Sequence, residues 1–139
     1  HGVDNSEHMI EYAPKEIATY VLSNNFPKDQ YEMILCNWTL HFIENKENYL
    51  QSMSDSLTDG GTMILSDKTS KDTDMIKMYH DNKLKLGVTK EVIEEKQKQL
   101  ENVMFINSAE WYHKKLSELG FTVTVMDADW CFTTFLCKK

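Results

Sequence analysis

The 139-residue chain contains no arginine: all fifteen of its basic residues are lysines. No guanidinium fork is therefore available to grip a phosphate or carboxylate through two parallel hydrogen bonds. Cysteine is scarce as well. Cys36, Cys131 and Cys137 form no CxxC pair, so a disulfide framework is not expected and the three read as buried thiols. The histidines His1, His8, His41, His80 and His113 show no HExxH or other spacing that sets two ligands on one helical face, which argues against a metal site. Long apolar runs are missing too: Met33 to Cys36 is far short of the roughly 20 residues that span a bilayer. The opening His1-Gly2-Val3-Asp4 has neither the basic region nor the apolar core of a signal peptide, so a cytoplasmic protein is expected. Positive charge is in deficit. A formal charge of −7 opposes the counterion release that drives nucleic-acid binding, and no direct nucleic-acid partner is expected.

What is present is a regular alternation of short apolar runs with amphipathic stretches, the pattern of an α/β sheet whose strands are joined by helices. Gly2-Val3 reads as the tail of a strand, followed by capping residue types Asp4-Asn5-Ser6 and a helix over Glu7 to Tyr12 that Pro14 closes. Ala18 to Leu22 and Tyr31 to Cys36 read as strands. The continuous apolar character of the second predicts a mid-sheet position with helices on both faces. Ile43, Leu50, Met53 and Leu57 make one stripe of a helix over 44–57. Asp59-Gly60-Gly61 supplies a turn, and Thr62 to Asp67 another buried strand. Two helices in series follow, about Met75 to Leu86 and Val88 to Val103, and then a helix that Asn107 and Glu110 would open as a capping box and Gly120 would close. Phe121 to Met126 and Trp130 to Cys137 are the last strands, and the short Asp127-Ala128-Asp129 between them forces an antiparallel pair. One domain over 1–139 is expected, with a helical insertion at about 70–106.

Candidate site residues come from position. Asp4, after a strand and opening a helix, can accept hydrogen bonds from ribose hydroxyls or serve as a helix cap. Asn37 ends the strand expected at mid-sheet, where open α/β sheets bind ligands, or ties down the following turn. His41 could carry a proton at the same crevice, but a partly buried helix-entry histidine bonded to backbone is the favoured reading, and no catalytic base is assigned. Trp111, Tyr112, Trp130 and Phe132 read as core rather than as a substrate pocket.

Gly2-Val3-Asp4-Asn5-Ser6-Glu7-His8-Met9-Ile10 resembles the second strand and acidic loop of class I S-adenosylmethionine-dependent methyltransferases, and Leu57-Thr58-Asp59-Gly60-Gly61-Thr62-Met63-Ile64-Leu65 their glycine turn before the fifth strand. Leu35-Cys36-Asn37-Trp38-Thr39-Leu40-His41-Phe42, Ser66-Asp67-Lys68, Met78-Tyr79-His80-Asp81 and Leu100-Glu101-Asn102-Val103-Met104 are similar to the carboxy-S-adenosylmethionine synthases. The resemblance implies a Rossmann-like α/β sheet, mostly parallel with a C-terminal antiparallel hairpin. The chain is expected to lack that fold's first strand and to begin after its glycine-rich loop. The implied cofactor is S-adenosyl-L-methionine, with Asp4 and Asn5 at the ribose and Asn37 near the sulfonium. Ser23, with Leu22, aligns with the family's adenine-contacting acid, and Gln97 with its carboxylate-binding arginine. His41, His80 and Gln97 are the candidate substrate-pocket residues. Family members use prephenate, serve wobble-uridine modification of tRNA and are homodimers. The expected function is methyl transfer to a small-molecule or tRNA-pathway acceptor. The alternatives are carboxy-S-adenosylmethionine synthesis and a catalytically degenerate module of the same fold.

Overall fold

A computed structural model describes residues 1–139. The elements run β1 (Gly2–Asp4), α1 (Glu7–Tyr12), β2 (Tyr20–Leu22), β3 (Tyr31–Asn37), a 3₁₀ turn at Leu40–Phe42, α2 (Lys46–Asp55), β4 (Leu57–Lys68), α3 (Thr73–Lys85), α4 (Lys90–Leu100), α5 (Ala109–Glu118), β5 (Thr122–Asp129) and β6 (Phe132–Lys138). No helix is long and apolar enough to cross a membrane.

The strands form two sheets. β1 and β2 pair in parallel, while the larger sheet has the order β3-β4-β6-β5. Within it β3 and β4 are parallel, and β6 enters antiparallel between β4 and β5. The antiparallel end follows from the tight Asp129 to Phe132 connection, as the sequence predicts. The stripe on α2 is also found, with Leu50 and Met53 fully buried. Leu57, however, opens β4 rather than closing α2. The helix stops at Asp55 with Ser56 as its cap, and Leu57 pairs with Tyr31. Between the Tyr31–Leu57 and Met33–Thr62 pairs, β4 carries extra residues that bulge outward. Gly60 takes a φ of +75° there, a conformation glycine reaches without steric cost.

The core packs one face of the larger sheet against α2 and α5. Ile34 and Cys36 of β3, Met63 and Leu65 of β4, Phe135 and Cys137 of β6 and Leu50, Met53, Tyr112 and Leu116 of the helices form one cluster. The strand partners explain it: Ile34 sits beside Met63, which sits beside Cys137, so alternate residues share a face. Within residues 1–139 β3 borders the four-stranded sheet, and Met33 and Leu35 on its second face are 58% and 63% exposed.

A candidate cofactor and substrate site

The carboxyl ends of β1, β3 and β4 all deliver polar side chains to short connections, the arrangement in which open α/β sheets bind ligands. At the end of β1, Asp4 Oδ1 accepts the Ser6 backbone N–H at 2.8 Å, while its second oxygen has no protein donor. Ser6, not Asp4, caps α1 by accepting from the Met9 N–H at 3.3 Å. Ser23, at the end of β2, lies beside Asp4 and donates its backbone N–H to the Asp4 carbonyl at 2.9 Å. The Ser23 hydroxyl is used locally, bonded to the Asn25 carbonyl at 3.0 Å. Asn5 stands between Asp4 and the Ser6 cap. Asn37 ends β3 with its side chain exposed and without a protein partner. The turn after it is held by the backbone instead: Thr39 donates its hydroxyl to the Asn37 carbonyl at 3.0 Å, and Trp38 its N–H to Ser66 at 2.7 Å.

A cavity of about 1030 Å³ opens beside the ends of β3 and β4, roofed by α3, α4 and the segment up to Ile106. It brings together His41, His80 and Gln97 of the sequence candidates, whereas Asp4, Asn5, Ser23 and Asn37 lie outside its wall. A second hollow of about 1110 Å³ lies between the 24–30 loop and α2, lined largely by amides and carboxylates. It sits where β3 begins, the end of the sheet away from the ligand-binding side.

His41 corrects the sequence reading. It is buried, and its ring bonds a side chain rather than backbone: Nδ1 lies 2.6 Å from Asp67 Oδ1. The other oxygen of Asp67 accepts the Tyr112 hydroxyl at 2.6 Å. Burial first, and then the nearby Asp67 charge, push the Tyr112 hydroxyl well above the ordinary tyrosine range, so it remains a donor. Asp67 thus accepts from two sides and is fully buried. The ring N–H of a neutral His41 is then fixed on Nδ1, leaving Nε2 as an acceptor. Nε2 has no protein partner, and since no fully buried polar side-chain atom is unsatisfied it keeps some exposure, on a residue that lines the cavity. The His41 carbonyl accepts the Phe105 N–H at 2.7 Å, and the Lys46 ammonium bonds the Phe105 carbonyl, anchoring the helical insertion over the ring.

Trp130 and Phe132 are also corrected: with Trp38 and Tyr79 they line the cavity instead of joining the core, which of the aromatic candidates holds only Tyr112 fully and Trp111 at its edge. Asp67 was not a candidate, and Tyr112 was read as core, where it lies. The clues to Asp67 were its place at the end of a buried strand and its membership of the Ser66-Asp67-Lys68 segment; Tyr112 carried none to a role at Asp67 beyond its helical stripe.

Residues 1–65 match the family described as methyltransferase domain. Carboxy-S-adenosyl-L-methionine synthase from Wolinella succinogenes is 32% identical over an alignment covering 99% of this chain and 64% of that protein. The enzyme of the same name from Yersinia enterocolitica is 32% identical, with 86% of this chain and 52% of that protein covered. An S-adenosylmethionine-dependent methyltransferase from Thermotoga maritima superposes with a TM-score of 0.71 at 20% identity, covering 99% of this chain and 72% of that one. This is a class I S-adenosylmethionine-dependent methyltransferase fold. A second such methyltransferase, from Mesorhizobium loti, gives a TM-score of 0.69 at 14% identity, with 99% and 79% covered. The methyltransferase-fold chain spans between half and two thirds of the curated relatives' lengths given above. The expected likeness to the carboxy-S-adenosylmethionine synthases is found, and the fold is that of S-adenosylmethionine-dependent methyltransferases. The open oxygen of Asp4 and the free amide of Asn37 fit such a nucleoside cofactor. The spent hydroxyl of Ser23 contributes less.

Proposed function

We propose that this methyltransferase-fold chain forms part of an S-adenosylmethionine-binding enzyme that transfers a methyl group to a small-molecule acceptor. The observation that carries the reading is Asp4: a carboxylate at the end of β1 with one oxygen fixed by Ser6 and the other open. Two ribose hydroxyls can donate to such a group. Asn5 would flank the ribose, and Asn37, at the end of the neighbouring parallel pair, would stand near the transferred group. When bound, S-adenosylmethionine supplies a methyl carbon made electrophilic by its positive sulfur. The protein's own task is then to hold the acceptor in line and exclude water, for which proximity alone can supply several kcal/mol of barrier lowering. Calorimetric titration of S-adenosylmethionine into the full-length protein and its Asp4→Ala variant tests this. Loss of charged hydrogen bonds worth about 1.5–3 kcal/mol should weaken binding roughly 10- to 150-fold. Equal affinities would reject the assignment of Asp4.

A second reading follows the name of the curated relatives, carboxy-S-adenosylmethionine synthesis; by the sequence resemblance it would draw on S-adenosylmethionine and prephenate, serve tRNA wobble-uridine modification and take place in a cytoplasmic homodimer. Gln97, on the cavity wall, offers a neutral amide where that family places an arginine, which weakens the fit to a carboxylate. Mass spectrometry of the products separates the two, since only carboxylation adds the mass of a carboxylate to the cofactor.

A further inference from the structure

The cavity roofed by the helical insertion has walls that are unusual in a physical sense. The chain has two non-glycine residues with positive φ, Trp38 at 52° and Trp130 at 48°, and both line this cavity. Bulky side chains avoid that region, and holding one there costs about 1–3 kcal/mol. Burial does not repay Trp38, which remains 64% exposed. Its ring lies 5.7 Å from that of Phe132, while Tyr79 reaches 5.5 Å from Phe132 and 5.7 Å from Trp130. Four rings from β3's end, α3, the β5–β6 turn and β6 therefore converge on one space, in the tilted and edge-on geometries that aromatic groups favour. The wall also carries four lysines against three carboxylates, a near balance that gives no strong preference for a charged ligand.

His41 lines the same cavity, its ring buried and held through Asp67, which Tyr112 also bonds, with Nε2 left without a protein partner. We propose that the cavity binds a neutral hydroxyarene between the aromatic walls, its hydroxyl donating to His41 Nε2, and that His41 takes the hydroxyl proton. The O–H bond breaks with its electron pair left on oxygen. The proton joins Nε2, and the resulting imidazolium is paired with the Asp67 carboxylate through Nδ1–H. A phenolic hydroxyl is acidic enough for a positioned imidazole to take its proton. An aliphatic alcohol holds its proton far more tightly. In the methyltransferase reading, on which the role of this ligand as methyl acceptor rests, the phenolate oxygen is the nucleophile. Binding and proton transfer themselves need no cofactor.

The probe is 4-nitrophenol, with 4-nitroanisole, which has no proton to give, as control. Both should bind and quench tryptophan fluorescence, but only 4-nitrophenol should gain its visible phenolate band beyond what it shows free at the same pH. Trp38→Ala should weaken binding of both by about tenfold or more. His41→Gln, with near-ultraviolet circular dichroism confirming its fold, should keep binding and lose the extra band. In the unsubstituted protein, the nitrogen-15 resonance of His41 Nε2 should move from the acceptor to the protonated range when 4-nitrophenol is added. That measurement decides the matter even if the variant fails to fold. No quenching in the unsubstituted protein, or a phenolate band that survives His41→Gln, would overturn the proposal. Titrating S-adenosylmethionine separately keeps the two readings apart. Cofactor binding without nitrophenol binding removes the cavity's assignment, whereas nitrophenol ionisation without cofactor binding removes the methyltransferase reading.

Discussion

Asp67 is a buried carboxylate with two donors, and its surroundings fix its effect on neighbours. Replacing Tyr112 by Phe removes one 2.6 Å hydrogen bond without opening a cavity, so an accepting oxygen is left without its donor in a dry site. The expected cost is about 1–3 kcal/mol of folding stability, measured as a fall in the urea midpoint. The thiols offer a second measurement. Burial, and for Cys36 also the Asp67 charge, pushes Cys36 up to about 12, and burial alone raises Cys137 to about 12. The native protein therefore holds both protons over a range in which the unfolded chain, near 9.0, releases them. Stability from these groups is intact below about pH 9 and is lost as pH rises from there toward 12. Urea midpoints should decline over that interval, and a Cys36→Ala, Cys137→Ala variant should show a flatter decline. None of the contacts of Asp67 was legible in the sequence, because His41 and Tyr112 lie 26 and 45 residues away and periodicity reports only which face a residue occupies.

At the level of elements, helices and strands were legible where a single face is buried, and boundaries were blurred where several residue types could cap. The stripe of Leu50 and Met53 located α2, but its continuation into Leu57 hid the start of β4. Before α5, Asn107 followed by Glu110 has the spacing of a capping box, yet the cap is Ser108, whose hydroxyl accepts from the Trp111 N–H at 3.2 Å. Two polar residues in succession can each begin a helix, and the geometry of the incoming chain chooses between them. Ser108→Ala should cost about 1 kcal/mol, and Asn107→Ala much less. Comparable losses at the two positions in chemical denaturation would contradict the cap observed here. The insertion was legible as two tandem helices. Its role as a roof was not, since it depends on the Phe105 N–H reaching the His41 carbonyl.

Across residues 1–139, the antiparallel β6 between β4 and β5 was implied by the short turn before it, while the apolar run of β3 did not tell which of its two faces these residues cover. The alternation along β3 makes this testable. Ile34 is 4% exposed and packed between β4 and the helices, whereas Leu35, the next residue, is 63% exposed. Truncating Ile34 to Ala removes buried methyl groups and leaves a void, for an expected loss of about 2–5 kcal/mol. Truncating Leu35 to Ala removes atoms already in water, so stability should change by no more than about 0.5 kcal/mol. Both variants keep the strand backbone and differ by one place in sequence, so the contrast reports the covering of the two faces and little else. A loss at Leu35 matching that at Ile34, read from urea denaturation of the same chain, would mean that the second face of β3 is covered in solution and that the sheet continues past this edge.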